Sequence, residues 1–358
     1  MQERKKRYDW LDIMKLIGIW LMYVTHYDGM GRYGMVGQYT LLGILFFASG
    51  FTAFRAKEKT WKLFTKEKFL RLMVPYFLFG LLILAVRVFL FELTIGDMIQ
   101  WGKGLLYGAR NVCPVAAMWF LPCLFFMEIY HETARRLLKK PIFVWGLAAL
   151  VSAAVKLIHE GAVLPWGMDM SGRFWIYYAI GDAASWCYRK GVFQAPHRMK
   201  ALRIGGAIGI AASWYVLYVN FYYGLGYFPS LFGVTEPSYL VLSAITFLYE
   251  CSGIVCAFSA ALLFQKSRLL CAMGRSTLVL CTTEQLTKVL LPLALASIGF
   301  TMPDSGTEIG ANVMAIQAFF MMLAGYFLFA RPMERYFPWM LGRFKPFSRK
   351  EKEKAYSV

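Results

Sequence analysis

The sequence lacks any long polar stretch that could fold as a soluble domain. The longest polar segments are the loops at 92–116 and 190–202 and the tail at 342–358. In contrast, 58% of the 358 residues are hydrophobic and 30 are Phe, far more than an average globular chain contains. These proportions exclude a soluble globular protein. We expect one membrane domain over residues 1–358, with a short basic cytoplasmic tail at about 342–358.

Paired cysteines are also lacking. The seven cysteines are an odd number, lie mostly inside apolar segments and show no CxxC or metal-ligand spacing. A disulfide scaffold or a zinc site would need such a pattern, so we expect neither, and we expect no metal at the functional site.

The first apolar segment has no cleavage site for a signal peptidase. The basic residues at 4–7 followed by an apolar run imitate a signal peptide, but Asp12 and Lys15 interrupt the run, and residues 25–28 include no small-residue cleavage motif. We therefore expect the first helix to stay in the mature protein.

The sequence also has no repeat of fixed period. This weakens the case for a transporter built from inverted repeats but does not exclude one.

The apolar segments predict an all-α integral membrane protein, a polytopic bundle of about ten transmembrane helices. A helix needs about 17–25 mostly apolar residues to cross the hydrocarbon core of a bilayer. Segments of this kind lie at 10–27, 39–56, 70–91, 117–137, 142–159, 173–189, 203–223, 238–264, 277–297 and 311–331.

Basic residues are distributed unevenly between the two sides that such a bundle would have. The chain has 39 Lys and Arg against 21 Asp and Glu, a net charge of +18. With ten alternating helices, 31 of the basic residues fall on one side and four on the other, with four inside the spans. The positive-inside rule places the basic side, and with it both termini, in the cytoplasm. The charge then reflects topology, and we expect membrane lipids and an anionic cytosolic ligand as partners, and no nucleic acid.

Three ionisable side chains interrupt the first apolar segment. Lys15 and His26 are eleven residues apart, so a helix returns them to one face within about 20°, about 16 Å apart along its axis. Asp12 precedes Lys15 by one turn, and we expect it to neutralise that lysine. Because a charge inside a membrane costs about 2.5–3.5 kcal/mol on insertion scales, we interpret this stripe as a functional site that lines the protein interior.

Five short motifs follow one another along nearly the whole chain. They are Leu11–Lys15 with His26 after ten intervening residues, Phe46–Phe51, Arg71–Tyr76, Met118–Pro122 and Gly274–Leu278. In their order and placement they resemble acyltransferase family 3, membrane-bound enzymes that O-acylate sugars and other envelope molecules. Two positions depart from the family pattern. Many members have arginine, with its planar bidentate fork, where Lys15 stands, and many have a histidine near Glu284, which here is placed to pair with Lys288 one turn on.

The resemblance implies an O-acyltransferase in a cell (plasma) membrane of bacterial type. It would move an acyl group, expected to be acetyl, from acyl-CoA to a hydroxyl of a carbohydrate-containing or lipid-linked glycan acceptor. We expect no bound cofactor, since acetyl-CoA is the donor substrate. His26 is the expected base, because an imidazole titrates near neutral pH, and Lys15 and Asp12 complete the catalytic set. The residues expected along the donor or substrate path are Arg71, Trp119, Phe120, Glu284 and Lys288.

Two further segments have two interpretations each. The loop 92–116 includes Trp101 and Arg110, a mixture of aromatic and polar side chains that suits sugar faces, although an aromatic membrane belt explains it equally well. The segment 57–69 alternates bases and aromatic residues at helical spacing, which favours an interfacial amphipathic helix over a ligand site.

The main alternative function is a transporter or flippase of a polar or lipid-linked glycan, because charges inside a membrane also mark translocation paths. A third interpretation is a non-catalytic membrane partner.

Overall fold

The computed structural model describes residues 8–26, 31–53, 59–91, 93–108, 110, 115–158, 163–191, 196–299 and 308–343, without the side chains of 196–203, 308, 309 and 311. All regular secondary structure in these ranges is helical. The α-helices are α1 Asp9–Thr25, α2 Gly31–Phe51, α3 Trp61–Lys68, α4 Val74–Phe91, α5 Ile95–Tyr107, α6 Phe120–Leu138, α7 Pro141–Ile158, α8 Met168–Arg173, α9 Trp175–Arg189, α10 Pro196–Tyr223, α11 Tyr227–Leu231, α12 Tyr239–Phe264, α13 Arg268–Arg275, α14 Thr277–Ser297, α15 Glu308–Gly325 and α16 Arg331–Tyr336. Short π-helical turns lie at Phe69–Met73 and Tyr326–Ala330, and 3₁₀ turns lie at Ala116–Trp119, Pro165–Gly167 and Pro338–Leu341.

Seven helical stretches in the described part of the chain are long and apolar enough to cross a membrane. They are Gly31–Phe51, Trp61–Phe91, Pro141–Ile158, Ile204–Tyr223, Tyr239–Phe264, Thr277–Ser297 and Asn312–Tyr336. Each overlaps one of the ten segments predicted from the sequence, although Gly31–Phe51 begins well before the predicted 39–56 and Trp61–Phe91 begins well before the predicted 70–91. Seven of the predicted apolar helices are therefore confirmed.

The other three predicted spans also form helices, but these are either shorter or less apolar than the seven stretches above. α1 has 17 residues and α9 has 15, so α1 is only about 25 Å long at 1.5 Å per residue. α6 has 19 residues, but both acidic and basic side chains lie in its second half. The ten-helix topology and the cytoplasmic termini stay predictions.

The outward faces of several helices are apolar. Only 22% of α7 and 11% of the stretch Ile204–Tyr223 are buried, and Ile158, Leu150 and Ile208 are exposed by 82%, 69% and 64%. Soluble monomers rarely expose apolar surface on this scale, whereas lipid would cover it. The seven apolar helices thus indicate a membrane-embedded, multi-pass protein.

The chain divides into two compact units, each with its own packed helices. Unit 1 consists of Met1–Thr52, Ile180–Thr277 and Met302–Leu323. Unit 2 consists of Ala53–Ala179, Leu278–Thr301 and Ala324–Val358. The single domain expected over residues 1–358 stays a prediction.

Unit 1 is built around α1. Ten of the 17 residues of α1 are buried, and the Trp20 indole N–H donates to the backbone carbonyl of Ala315 at 3.1 Å. Small residues let the neighbouring helices approach closely: a Cβ on Gly253 of α12 would lie 2.6 Å from Cγ2 of Thr40 on α2. Packing at glycines is the usual means of close helix contact in membrane proteins.

Unit 2 contains the longest continuous helix, Trp61–Phe91. Its first part, α3, lies in the segment interpreted as an interfacial helix, and it exposes Trp61 while burying Phe64. α3 continues into α4 through the π turn Phe69–Met73, so the helix is not interrupted there. This turn ends just before Pro75, which has no N–H to donate to a regular helix. A buried ion pair between Lys68 and Glu128 ties the same helix to α6.

Candidate functional site

The predicted catalytic side chains all belong to α1 in unit 1. The helix is uninterrupted to Thr25, and His26 caps it, donating its backbone N–H to the Met22 carbonyl at 3.2 Å. Regular geometry therefore keeps Lys15 and His26 on one face about 16 Å apart. Both side chains are half-buried, and Nδ1 of His26 is buried. A single small group cannot touch both side chains, so they would serve different parts of a long ligand.

The carboxylate of Asp12 lies beside an arginine from α13. Oδ2 of Asp12 is 3.9 Å from Nε of Arg275, which also donates to the Cys271 carbonyl at 3.1 Å. The two helices meet this closely because residue 274 is glycine: a Cβ there would overlap the Asp12 backbone carbonyl. Gly274 and Arg275 both belong to the Gly274–Leu278 motif noted in the sequence. The motif thus brings the Arg275 guanidinium next to the first half of α1.

A second cation lies one turn along α1 from this buried carboxylate. Lys15 follows Asp12 by three residues, a spacing that puts the two side chains on one helix face. The neutralisation of Lys15 by Asp12 stays a prediction, whereas Arg275 approaches Asp12 from α13. Asp12 is 5% exposed, whereas the Arg275 side chain is 43% exposed and accessible to a ligand. Arg275 lies in one of the five motifs noted in the sequence, but nothing in the sequence predicts its contact with Asp12.

Glu284 is buried in unit 2 within a polar chain of contacts. Its Oε2 accepts a hydrogen bond from Nε2 of Gln285 at 2.6 Å, and Oε1 of Gln285 accepts from Nη2 of Arg87 at 3.2 Å. Lys288 lies one turn further along α14 and is half-buried. The pairing of Glu284 with Lys288 stays a prediction. Gln285 was not identified from the sequence, because an amide gives no charge signal.

The remaining predicted residues also lie in unit 2. Arg71 is exposed in the π turn Phe69–Met73. Trp119 ends a 3₁₀ turn and Phe120 begins α6, and both are half-buried. The guanidinium of Arg110 lies 5.8 Å from the centroid of the Trp119 ring. Trp119, an aromatic residue of the predicted path, therefore forms a cation–π contact with Arg110.

Arg110 also forms an ion pair with a buried carboxylate of unit 2. Its Nη2 donates to Oδ2 of Asp169 at 2.6 Å, and the Asp169 side chain is 5% exposed. The sequence placed Arg110 in the loop expected to meet a hydrophilic substrate, but it did not single out Asp169. The available signal was an isolated acidic residue in the otherwise uncharged stretch 163–172.

No protein-family model matches the chain, and neither a curated protein nor a solved structure matches it. The class of this protein rests on its fold and its charged residues. Over the described residues it is an all-helical, membrane-embedded, multi-pass protein with ionisable side chains along its first helix.

Proposed function

We propose that the protein is a membrane O-acyltransferase that moves an acyl group, with acetyl as the expected group, from acyl-CoA to a hydroxyl of a carbohydrate-containing envelope molecule. The observation that carries the proposal is the placement of Lys15 and His26 on one face of a buried, uninterrupted helix. The resemblance to acyltransferase family 3 supplies the reaction, and Lys15 and Arg275, both at the first half of α1, are cations that suit an anionic donor.

The first half of α1 would bind the donor. Acyl-CoA carries phosphates at one end and the reactive thioester at the end of a long pantetheine arm. Lys15 and Arg275 are cations that suit those phosphates, and Asp12 holds Arg275 in place. An arm that extends along α1 would bring the thioester toward His26, about 16 Å from Lys15.

His26 would act as the general base. Its imidazole takes the proton of the acceptor hydroxyl while the hydroxyl oxygen attacks the thioester carbonyl. The new C–O bond forms, the C–S bond breaks, and the imidazolium returns the proton to the departing thiolate of CoA. The step balances without a metal or a redox cofactor, and the products are the acyl ester and free CoA.

Substitution of the two side chains separates these roles. His26→Gln keeps the size of the side chain but removes the base, so we expect kcat for acetyl transfer to fall at least about 100-fold with little change in KM for acetyl-CoA, the range typical of a lost general base. Lys15→Gln removes a donor contact, so we expect KM for acetyl-CoA to rise with kcat largely kept.

A matched control for the lost charge is Lys62→Gln, since Lys62 is exposed on α3 and has no proposed role. It should leave both kinetic constants unchanged. If His26→Gln raised KM alone while Lys15→Gln lowered kcat alone, the assignment of roles would be overturned. Glycan uptake or flipping that persists without any acyl donor would favour the transporter instead.

A further inference from the structure

An ion pair in unit 2 between the half-buried Arg110 and the buried Asp169 retains hydrogen-bonding atoms without a partner among the described residues. Arg110 and Asp169 share one hydrogen bond of 2.6 Å. The second oxygen of the carboxylate, Oδ1, and Nε of Arg110 are both buried, and neither has a hydrogen-bond partner among the described residues. Buried polar atoms are almost always paired, because leaving one unpaired forfeits its hydration. An acceptor and a donor left together in this way match the two functions of a hydroxyl group.

Aromatic rings lie next to this ion pair. The Arg110 guanidinium is 5.8 Å from the Trp119 ring centroid, and Trp119 approaches Gly167, where a Cβ would lie 3.4 Å from its Cε3. Trp166 stacks on Phe126 with ring centroids 5.7 Å apart. A pyranose ring presents hydroxyls at its edge and C–H groups on its faces, so it suits a flat aromatic surface beside a few fixed polar groups.

The backbone around the cluster is held in an unfavourable conformation. Trp166 has φ 56° and Ala116 has φ 33°, in the left-handed region that residues with a Cβ rarely adopt. The Trp166 side chain is fixed by its indole N–H, which donates to the Leu106 carbonyl at 2.6 Å. Strain of this kind persists where the surroundings enforce it, and it concentrates at ligand sites.

We propose that Arg110, Asp169 and Trp119 form a carbohydrate subsite that binds a sugar ring of the acceptor. Oδ1 of Asp169 accepts a hydrogen bond from a sugar hydroxyl, Nε of Arg110 donates to a sugar oxygen, and the Trp119 ring packs on a C–H face. The choice of a sugar rests on the proposed function, which requires a hydroxylated acceptor. The predicted topology places the loop of Arg110 outside the membrane, the side on which an envelope glycan is found.

Saturation-transfer NMR on the full chain in lipid nanodiscs tests this subsite. The probes are methyl β-glucoside and methyl N-acetyl-β-glucosaminide. We expect saturation transfer to the ring protons of at least one probe with the wild type, and a loss of at least about fivefold with Asp169→Asn. Trp119→Leu should cause a similar loss, and it removes the aromatic surface while keeping both partners of the ion pair.

The control is Lys103→Gln, on an exposed position of α5. It should keep the wild-type signal. No signal with the wild type, or equal signals from all variants that stay folded by size-exclusion chromatography, would overturn the subsite. Sugar binding that follows this pattern in a protein without acetyl transfer would overturn the proposed function and leave the subsite standing.

Discussion

Among single residues, a buried carboxylate beside an arginine, Asp12 with Arg275, marks the first half of α1. Asp12 is 5% exposed, and a charge buried to this degree is destabilising unless a partner compensates for its lost hydration. Arg275 supplies that compensation from α13 at 3.9 Å. The close approach of the helices at Gly274 therefore controls the electrostatics of the candidate donor site.

Substitution of Gly274 by alanine should destabilise the protein. The new Cβ would overlap the Asp12 carbonyl, so α13 must shift, at a cost of about 1–3 kcal/mol for overpacking. Thermal unfolding of the purified protein measures this as a lower midpoint. Gly205→Ala on α10 is the control, since a Cβ there meets nothing within 4 Å, and it should not lower the midpoint. Equal midpoints for the two variants would contradict the close approach.

Local pattern was enough to single out Asp12, Lys15 and His26, because all three share one helix and their spacing fixes the face they occupy. It was not enough to find the partners. Arg275 is 263 positions from Asp12, and Asp169 is 59 positions from Arg110. Such contacts depend on how helices pack, and a single sequence holds no information on which buried charges meet.

At the scale of elements, burial separates α1 from the lipid-facing helices. α1 is short but mostly buried, whereas α7 is longer and mostly exposed. The apolar segments of the sequence predicted both as helices. Hydropathy was enough to predict the seven confirmed stretches. It could not distinguish a helix in the protein interior from one on the outer face, since both are rich in apolar residues.

The ion pair between Lys68 and Glu128 tests the packing of α3 against α6. The Glu128 side chain is 8% exposed, so Glu128→Ala leaves Lys68 without its carboxylate, and we expect a loss of about 3 kcal/mol in the free energy of unfolding.

The pair Lys59 and Glu67, whose glutamate is more exposed than Glu128, offers the matched control. Its glutamate is 42% exposed, and surface ion pairs contribute at most about 1 kcal/mol, so Glu67→Ala should change stability much less. Unfolding in mixed detergent micelles compares the two variants. A loss for Glu67→Ala as large as that for Glu128→Ala would show that burial of the pair is not the cause.

At the scale of the whole molecule, the distribution of positive charge predicts the orientation. The predicted topology assigns Lys62 on α3 to the basic, cytoplasmic side and Lys103 on α5 to the opposite side. Both are exposed, so a cysteine at either position should react with a membrane-impermeant maleimide whenever the reagent reaches it.

In intact cells we expect the reagent to label Lys103→Cys above the level of the wild type. Lys62→Cys should become labelled only after the cells are opened, because the membrane protects the cytoplasmic side. The subtraction of wild-type labelling removes the contribution of the native cysteines. The reverse pattern would overturn the orientation, and with it the entry of acyl-CoA at the Lys15 end of α1.

Transfer of radiolabelled acetyl from acetyl-CoA to envelope material in membrane vesicles tests the proposed acyltransferase activity and the role of His26 together. The assay compares the wild type with His26→Ala at equal amounts of folded protein. We expect label in the envelope fraction with the wild type and label at the background level with the variant. Equal incorporation by both proteins would contradict the proposed role, since His26 would then have no part in the transfer.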